Sequence, residues 1–502
     1  MAGGRDLPAR RRLRVFALDP SLDRATATVD VARLVLSVPW DRADGRNGPL
    51  PGPVGEYLEV CDVDPASGCW YEPLDLMDPA VLAEDGLEPS TADPQFHQQM
   101  VYAVAMTTIE HFEHALGRRA MWADRGDPPP EESAFVPRLR IYPHAFRGEN
   151  AYYSPDKKAL LFGYFPSAVS AADGFKPGGM VFCCLSHDII AHECCHALLD
   201  GIHGYYLEET NPDSLAFHEA FADLVALFQR FTWPELLRGQ IARTRGDLHR
   251  QNLLGALAQE FGRATGRYGA LRDALGQVDP KTGEWQARRP DPRALENTTG
   301  CHERGAILVA AVFDAYLTIY TQRVADLLDL AAQLRGGEFR GPLPAELRDR
   351  LAGEAAKAAR HVLTMIIRAL DYCPPVDITF GDYLRALITA DADLVADDDR
   401  GYRTAFIEAF ERWGIYPRDV RSMSEGDLLW ERLDDWQGSV YDALHGDAAP
   451  LADQARALGE VWTSDGNRAA IHQASHECKA VVQAALGAAD DSVRRALHLR
   501  LK

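Results

Sequence analysis

The 502-residue chain has no uninterrupted apolar run of the ~18 residues that a membrane span calls for; its best candidate, Gly305–Tyr320, is broken by Asp314. No membrane span is therefore expected. Positive charge is also short. The 53 Lys and Arg stand against 74 Asp and Glu, leaving −21, and such a surface repels phosphate backbones, so nucleic acid is not an expected partner. An export core is missing too. After the basic start at Arg10, Arg11, Arg12 and Arg14 only Val15–Leu18 precede Asp19, against the roughly 7–15 apolar residues of a secretory signal. The nine cysteines are an odd number, with Cys183–Cys184 and Cys194–Cys195 adjacent, and their spacing is not that of a disulfide framework. Free buried thiols in a reducing compartment follow from this, and a cytoplasmic location is expected, with leaderless export left open. What the chain does have is core-forming material. Apolar residues make up 46% and charged residues 25%, which excludes collagen-like and disordered proteins, and the length suggests two to four domains.

The first ninety or so residues alternate strand-like segments (Arg12–Leu18, Thr26–Val38, Tyr57–Val63) with Gly- and Pro-rich loops. From Phe96 to Trp122 apolar residues recur at helical spacing, which predicts one long helix. Asp127–Ser133, with three consecutive prolines, must be a loop. Arg138–Tyr142 and Leu160–Tyr164 read as strands around a turn at Ser154–Lys158. A helical region then starts at Val181, with Gly201 as its expected stop. Helices are also predicted over Ala306–Leu330, Pro344–Ala369 (with Pro344 at the first helical position), Phe380–Ala390, Tyr402–Trp413, Asp427–Leu444, Leu451–Val461 and Ala469–Leu486. The acidic stretch Asp391–Arg400 lacks the ligand order of an EF-hand loop and reads as a solvated helix–helix connection. The division expected is a strand-rich N-terminal module (1–94), a catalytic upper lobe (95–210), a helical lobe (211–417) and a helical extension (418–502).

The informative segment is His192-Glu193-Cys194-Cys195-His196. On a helix, residues i and i+4 lie one above the other, so both imidazoles can reach one ion at the ~2.0–2.1 Å of a zinc–nitrogen bond. Glu193, beside the first ligand, can reach a water on the metal rather than the metal itself. Random order would give roughly 0.03 such matches in this chain. The bland alternative is two buried histidines hydrogen-bonded to their neighbours. A metzincin-like third histidine ten positions after the first fails, because Ile202 stands there and Leu199 stands where that helix would end in glycine. A second segment, Phe217-His-Glu-Ala-Phe-Ala-Asp223, puts Glu219 and Asp223 on one helix face, so that one can bind the ion while the other braces a ligand histidine.

With these blocks in place the chain resembles the thermolysin-like gluzincin metallopeptidases over about residues 95–416. Gln98–Gly117 resembles the family's first catalytic helix, and Asn150-Ala151-Tyr152-Tyr153 followed by Leu160–Gly163 its substrate-pairing edge strand. Asp188 through His192, Glu193 and His196 to Asp200 resembles its zinc helix, and Glu219, Ala220 and Asp223 its second helix. Asn297–His302, Ile367–Phe380 and Phe410–Ile415 resemble later blocks, in the family's order. The resemblance implies an α+β, thermolysin-like zincin fold and a zinc-dependent endopeptidase acting on peptide or protein substrates. It implies that His192, His196 and Glu219 hold one zinc ion, that Glu193 is the general base, and that His302 stabilises the oxyanion with help from Tyr205 or Tyr206. Asp223 would orient His192, Glu296 would do the same for His302, and Asp200 is a further carboxylate behind the site. Asn150 and Ala151 would take the substrate as an added strand, with Arg272 the candidate substrate-binding arginine.

There are departures. The step from His196 to Glu219 is three residues longer than in thermolysin-like enzymes, His218 replaces an asparagine and offers itself as an alternative ligand, and Glu303-Arg304-Gly305 is one residue shorter than usual. Of the family's calcium ligands only Asp188 remains, because Asp223 is followed by apolar and then basic residues, so structural calcium is not evident. Cys194 and Cys195 point to other helix faces and read as packing, as do Tyr152 and Tyr153. Cys301 reads as a buried cysteine or a redox-sensitive thiol near the site. His187 and His203 read as surface or capping residues. Two rivals stand beside the endopeptidase: an aminopeptidase gluzincin, whose recognition strand is only partly matched by Gly148-Glu-Asn-Ala151, and a metal-binding scaffold protein with little or no hydrolysis.

Overall fold

The computed structural model describes residues 10–17, 33–40, 46–126, 134–166, 179–248, 289–334, 342–431, 456–462 and 467–488, with shorter pieces at 20, 42–43, 276–278 and 285–287. The fold is mixed α+β and mostly helical, with small sheets. Arg272, the loop 127–133, residues 26–32 and 432–455 lie outside the described residues.

The chain opens with an antiparallel hairpin of β1 (Arg10–Phe16) and β2 (Arg33–Pro39), whose inward residues Leu13, Val15, Leu36 and Val38 join the main hydrophobic core. The central sheet is built from β3 (Leu58–Val60), β4 (Leu139–Arg147), β5 (Ala151–Ser154), β6 (Ala159–Pro166) and β7 (Met180–Phe182). Strands β3, β4 and β6 run parallel, and β5 and β7 pair antiparallel to β6. Strand β3 lies before residue 94 and hydrogen-bonds β4 beyond it, so the sheet spans that position.

The crossover from β3 to β4 carries α1 (Pro94–Leu116), the arrangement parallel neighbours require. Asp93 caps α1 by accepting from Gln95 N, and Pro94 occupies the first turn, where its missing N–H is no loss. The helix ends at Leu116, six residues short of the sequence expectation, because Gly117 adopts φ 68° and closes it with a left-handed cap. Its apolar face (Phe96, Met100, Val104, Phe112) is fully buried, and each such side chain contributes about 1.5–3 kcal/mol.

Two helices then carry the candidate site: α2 (His187–Ile202) and α3 (Ser214–Phe231), which pack on each other. Val181 belongs to strand β7, a 3₁₀ turn covers Cys183–Leu185, and α2 begins only at His187. Gly201 does not stop α2; the helix runs through it. A Cβ at this position would lie 2.1 Å from the carbonyl oxygen of Met121, so the missing side chain permits a close approach between α2 and the segment after α1. The longer helices that follow are α4 (Pro234–Thr244), α5 (Cys301–Leu334), α6 (Ala345–Arg368), α7 (Phe380–Leu394), α8 (Tyr402–Arg412) and α9 (Arg468–Ala488). Pro344 is the N-cap of α6 rather than its first residue. The acidic stretch begins inside α7, where Asp391 is buried rather than solvated and pairs with Arg403 at 2.8 Å; beyond the helix Asp398 accepts from the backbone N–H of Tyr402 and Arg403.

Among the described residues one helix, Cys301–Gln333, is long and apolar enough by composition to cross a membrane, which the interruption at Asp314 had argued against; 78% of its most apolar window is buried inside the fold. α9 docks through Arg468, which is 3% exposed and donates to the carbonyls of Ala120, Glu56 and Pro137.

Candidate metal centre

The spacing of His192 and His196 puts both rings on one face of α2, and the structure brings them together: their Nε2 atoms are 2.9 Å apart. α3 delivers the third donor. Glu219 Oε2 lies 3.6 Å from His192 Nε2, and its Oε1 lies 3.8 Å from His196 Nε2. Two ligands at about 2.0–2.2 Å from one ion can be no more than about 4.4 Å apart, and all three separations meet that limit. His192, His196 and Glu219 thus form a group able to hold a metal ion.

Proton bookkeeping agrees with that fit. Asp223, one turn beyond Glu219, places Oδ1 2.9 Å from His192 Nδ1; a carboxylate can only accept, so Nδ1 carries the hydrogen and Nε2 is left as an inward lone pair. Burial disfavours a charged His192, yet Asp223 and Glu219 carry its pKa well above the ordinary value. His196, equally buried, is held well below its own.

Glu193 is 2% exposed, and burial, opposed by His192, raises its carboxyl to about 7. Its Oε2 accepts from Tyr153 N at 2.9 Å, so the carboxylate turns toward β5. The register accounts for this contact. Gly163 N donates to Asn150 O at 2.8 Å, so the Asn150 carbonyl, expected to pair with a substrate, is spent on the sheet, and alternate residues Ala151 and Tyr153 direct their backbone groups away from β6. Among the described residues β5 hydrogen-bonds in the sheet only to β6, which leaves its other edge facing the site.

His302 stands on the first turn of α5, its side chain 48% exposed, with Nδ1 3.8 Å from Glu219 Oε2. Glu296 is exposed on the short helix Ala294–Asn297. Asp200 serves the strand rather than a ligand: it accepts from Tyr153 OH at 2.7 Å and lies 3.3 Å from Lys158 Nζ, tying the β5–β6 hairpin to the end of α2. Tyr206 is fully buried, donates its hydroxyl to the carbonyl of Pro374 and stacks on His203, so it is a packing residue and not an oxyanion donor. Tyr205 is 60% exposed. His218 is not among the converging donors; its ring stacks on His196 at 4.6 Å between centroids.

His187 is buried against the edge of Trp233, not at the surface, and His203 Nε2 lies 2.8 Å from Leu370 O. Cys194 and Cys195 are completely buried in the core, and burial raises both thiols. Asp188 is taken by a buried ion pair with Arg230, which joins the start of α2 to the end of α3. This pairing joins residues 42 positions apart, so no local spacing announces it. Tyr153, expected only to pack, instead links the strand to both Glu193 and Asp200.

The chain matches no family model and no curated protein.

Proposed function

We propose that the protein is a zinc-dependent metalloendopeptidase of the thermolysin-like type. The observation that carries this reading is the convergence of His192, His196 and Glu219, with Asp223 behind the first ligand and Glu193 between the donors and an open strand edge. A zinc ion held by the three donors would supply Lewis acidity to a water and to the scissile carbonyl. Glu193 takes the proton of the attacking water on its carboxylate and passes it to the leaving amine. His302, at the rim, donates a hydrogen bond as charge develops on the carbonyl oxygen. The substrate backbone adds to β5, using the outward groups of Ala151 and the carbonyl of Tyr153. Asp200 keeps that strand in place through Tyr153 and Lys158.

The test is incubation of the purified protein with casein, with and without a chelator. Cleavage that stops on chelation and returns with added zinc is the expected result. Zinc-loaded protein that leaves casein intact would overturn the proposal. Peptides with blocked amino termini should be cut as well as free ones, which separates an endopeptidase from an aminopeptidase.

A further inference from the structure

A second group of donors lies away from α3. His97 stands on the first turn of α1, His144 on β4 and Cys184 in the turn before α2; they are 1%, 2% and 0% exposed. Their ligand atoms lie within 4.8 Å of one another. His97 Nδ1 is 2.8 Å from His144 Nε2, and His144 Nδ1 is 2.6 Å from Asp62 Oδ1. The other Asp62 oxygen accepts from Gln98 Nε2 at 2.8 Å, which fixes the carboxylate.

The protons can be assigned in turn. Asp62 can only accept, so His144 Nδ1 donates, and Nε2 of the neutral ring is a lone pair aimed at His97. The His97 ring also packs on Phe182 at 4.7 Å between centroids and meets the main chain at Ser90 and Thr91, and its Nε2 is buried without a hydrogen bond of ordinary geometry. Two imidazole nitrogens that face each other at 2.8 Å are joined either by one N–H···N hydrogen bond or by a cation held between them. The thiol of Cys184 is a third donor at the same point, and the rings of Tyr71, Tyr164 and Phe182 pack around His144. The Asp62-braced imidazole repeats the carboxylate–histidine pairing that stands behind metal ligands.

We propose that His97, His144 and Cys184 hold a thiophilic cation such as zinc in a closed structural centre, distinct from the site on α2 and α3. On binding, Cys184 releases its proton to solvent. The doubly charged ion, the thiolate and the Asp62 carboxylate then sum to zero, which makes a buried centre tolerable. The cation would join the start of α1, the sheet and the turn that launches α2.

Cobalt substitution tests this without reference to peptidase activity, because His192, His196 and Glu219 include no sulfur. The intact protein loaded with cobalt should bind two ions per chain and show a thiolate-to-cobalt charge-transfer band. That band should persist in His192→Ala and vanish in Cys184→Ser. A second variant, His97→Ala, should lose the same ion while keeping every thiol. A cobalt-loaded wild-type protein with no thiolate band overturns the proposal before any variant is made, as does a band that survives Cys184→Ser.

Discussion

The two buried histidine groups use the same side chain in opposite settings. In both, one imidazole nitrogen faces another at under 3 Å and a carboxylate braces the far side of one ring: Asp223 behind His192, Asp62 behind His144. They differ in access. At the first group Glu219 keeps 27% of its side chain exposed, His302 stands half open at the rim, and Glu193 and a strand edge adjoin. At the second every donor is sealed, and the neighbouring Asp62 carboxylate is spent on His144 and Gln98. An open corner with a base next to it suits chemistry on a substrate, whereas closure on all sides suits a structural role.

The largest expected effect tests the first half of that contrast. Glu193→Gln should keep the zinc, read by elemental analysis, while casein cleavage falls by roughly 10²–10⁴-fold, the usual share of a general base. Unchanged turnover would remove Glu193 from its role. Next comes acid sensitivity of the chelated protein at the closed group. Burial lowers His97 from 6.5 to about 3. Because the folded value lies below the unfolded one, the unfolded chain takes up the proton first. The contribution is therefore complete above 6.5 and is lost as pH falls toward 3, a matter of a few kcal/mol. Denaturant midpoints measured across that range should decline, and His97→Gln should flatten the decline; a midpoint independent of pH would show that His97 is not held neutral.

A smaller effect is expected one layer out. Asp223→Asn should weaken zinc binding by about 10–100-fold in a competition titration, since it loosens the orientation of His192 without removing a ligand. Equal affinities in the two proteins would mean that the brace is idle. Smallest of all, Cys194→Ala should cost about 1 kcal/mol in denaturant unfolding and leave cleavage unchanged, because its thiol only packs and contacts the Ala105 carbonyl from inside the core. Loss of activity there would place this thiol in the chemistry.

How much was legible in the sequence follows from how local each signal is. The four-residue interval between His192 and His196 is a property of one helix, and the four-residue interval between Glu219 and Asp223 is a property of another. Both can be read without knowing where the helices go. The stop of the first long helix is itself local, the left-handed Gly117, whereas the passage of α2 through Gly201 depends on a neighbour, the carbonyl of Met121 pressed against α2. Tyr206 was misassigned for the same reason, since its hydroxyl is claimed by Pro374, more than 160 residues away in sequence.

The sequence by itself determined which side chains could converge along one helix, because periodicity fixes which residues share a face whatever lies opposite. It also set the acidic balance and the supply of apolar residues for a large core. Only the tertiary structure decided that Glu219 meets the two histidines, that Asp200 serves a strand, and that Asp62, His97, His144 and Cys184 meet at all. Those pairings join residues dozens of positions apart, and no local spacing encodes them; they exist because α1, the sheet, α2 with the turn before it, and α3 pack around one interior.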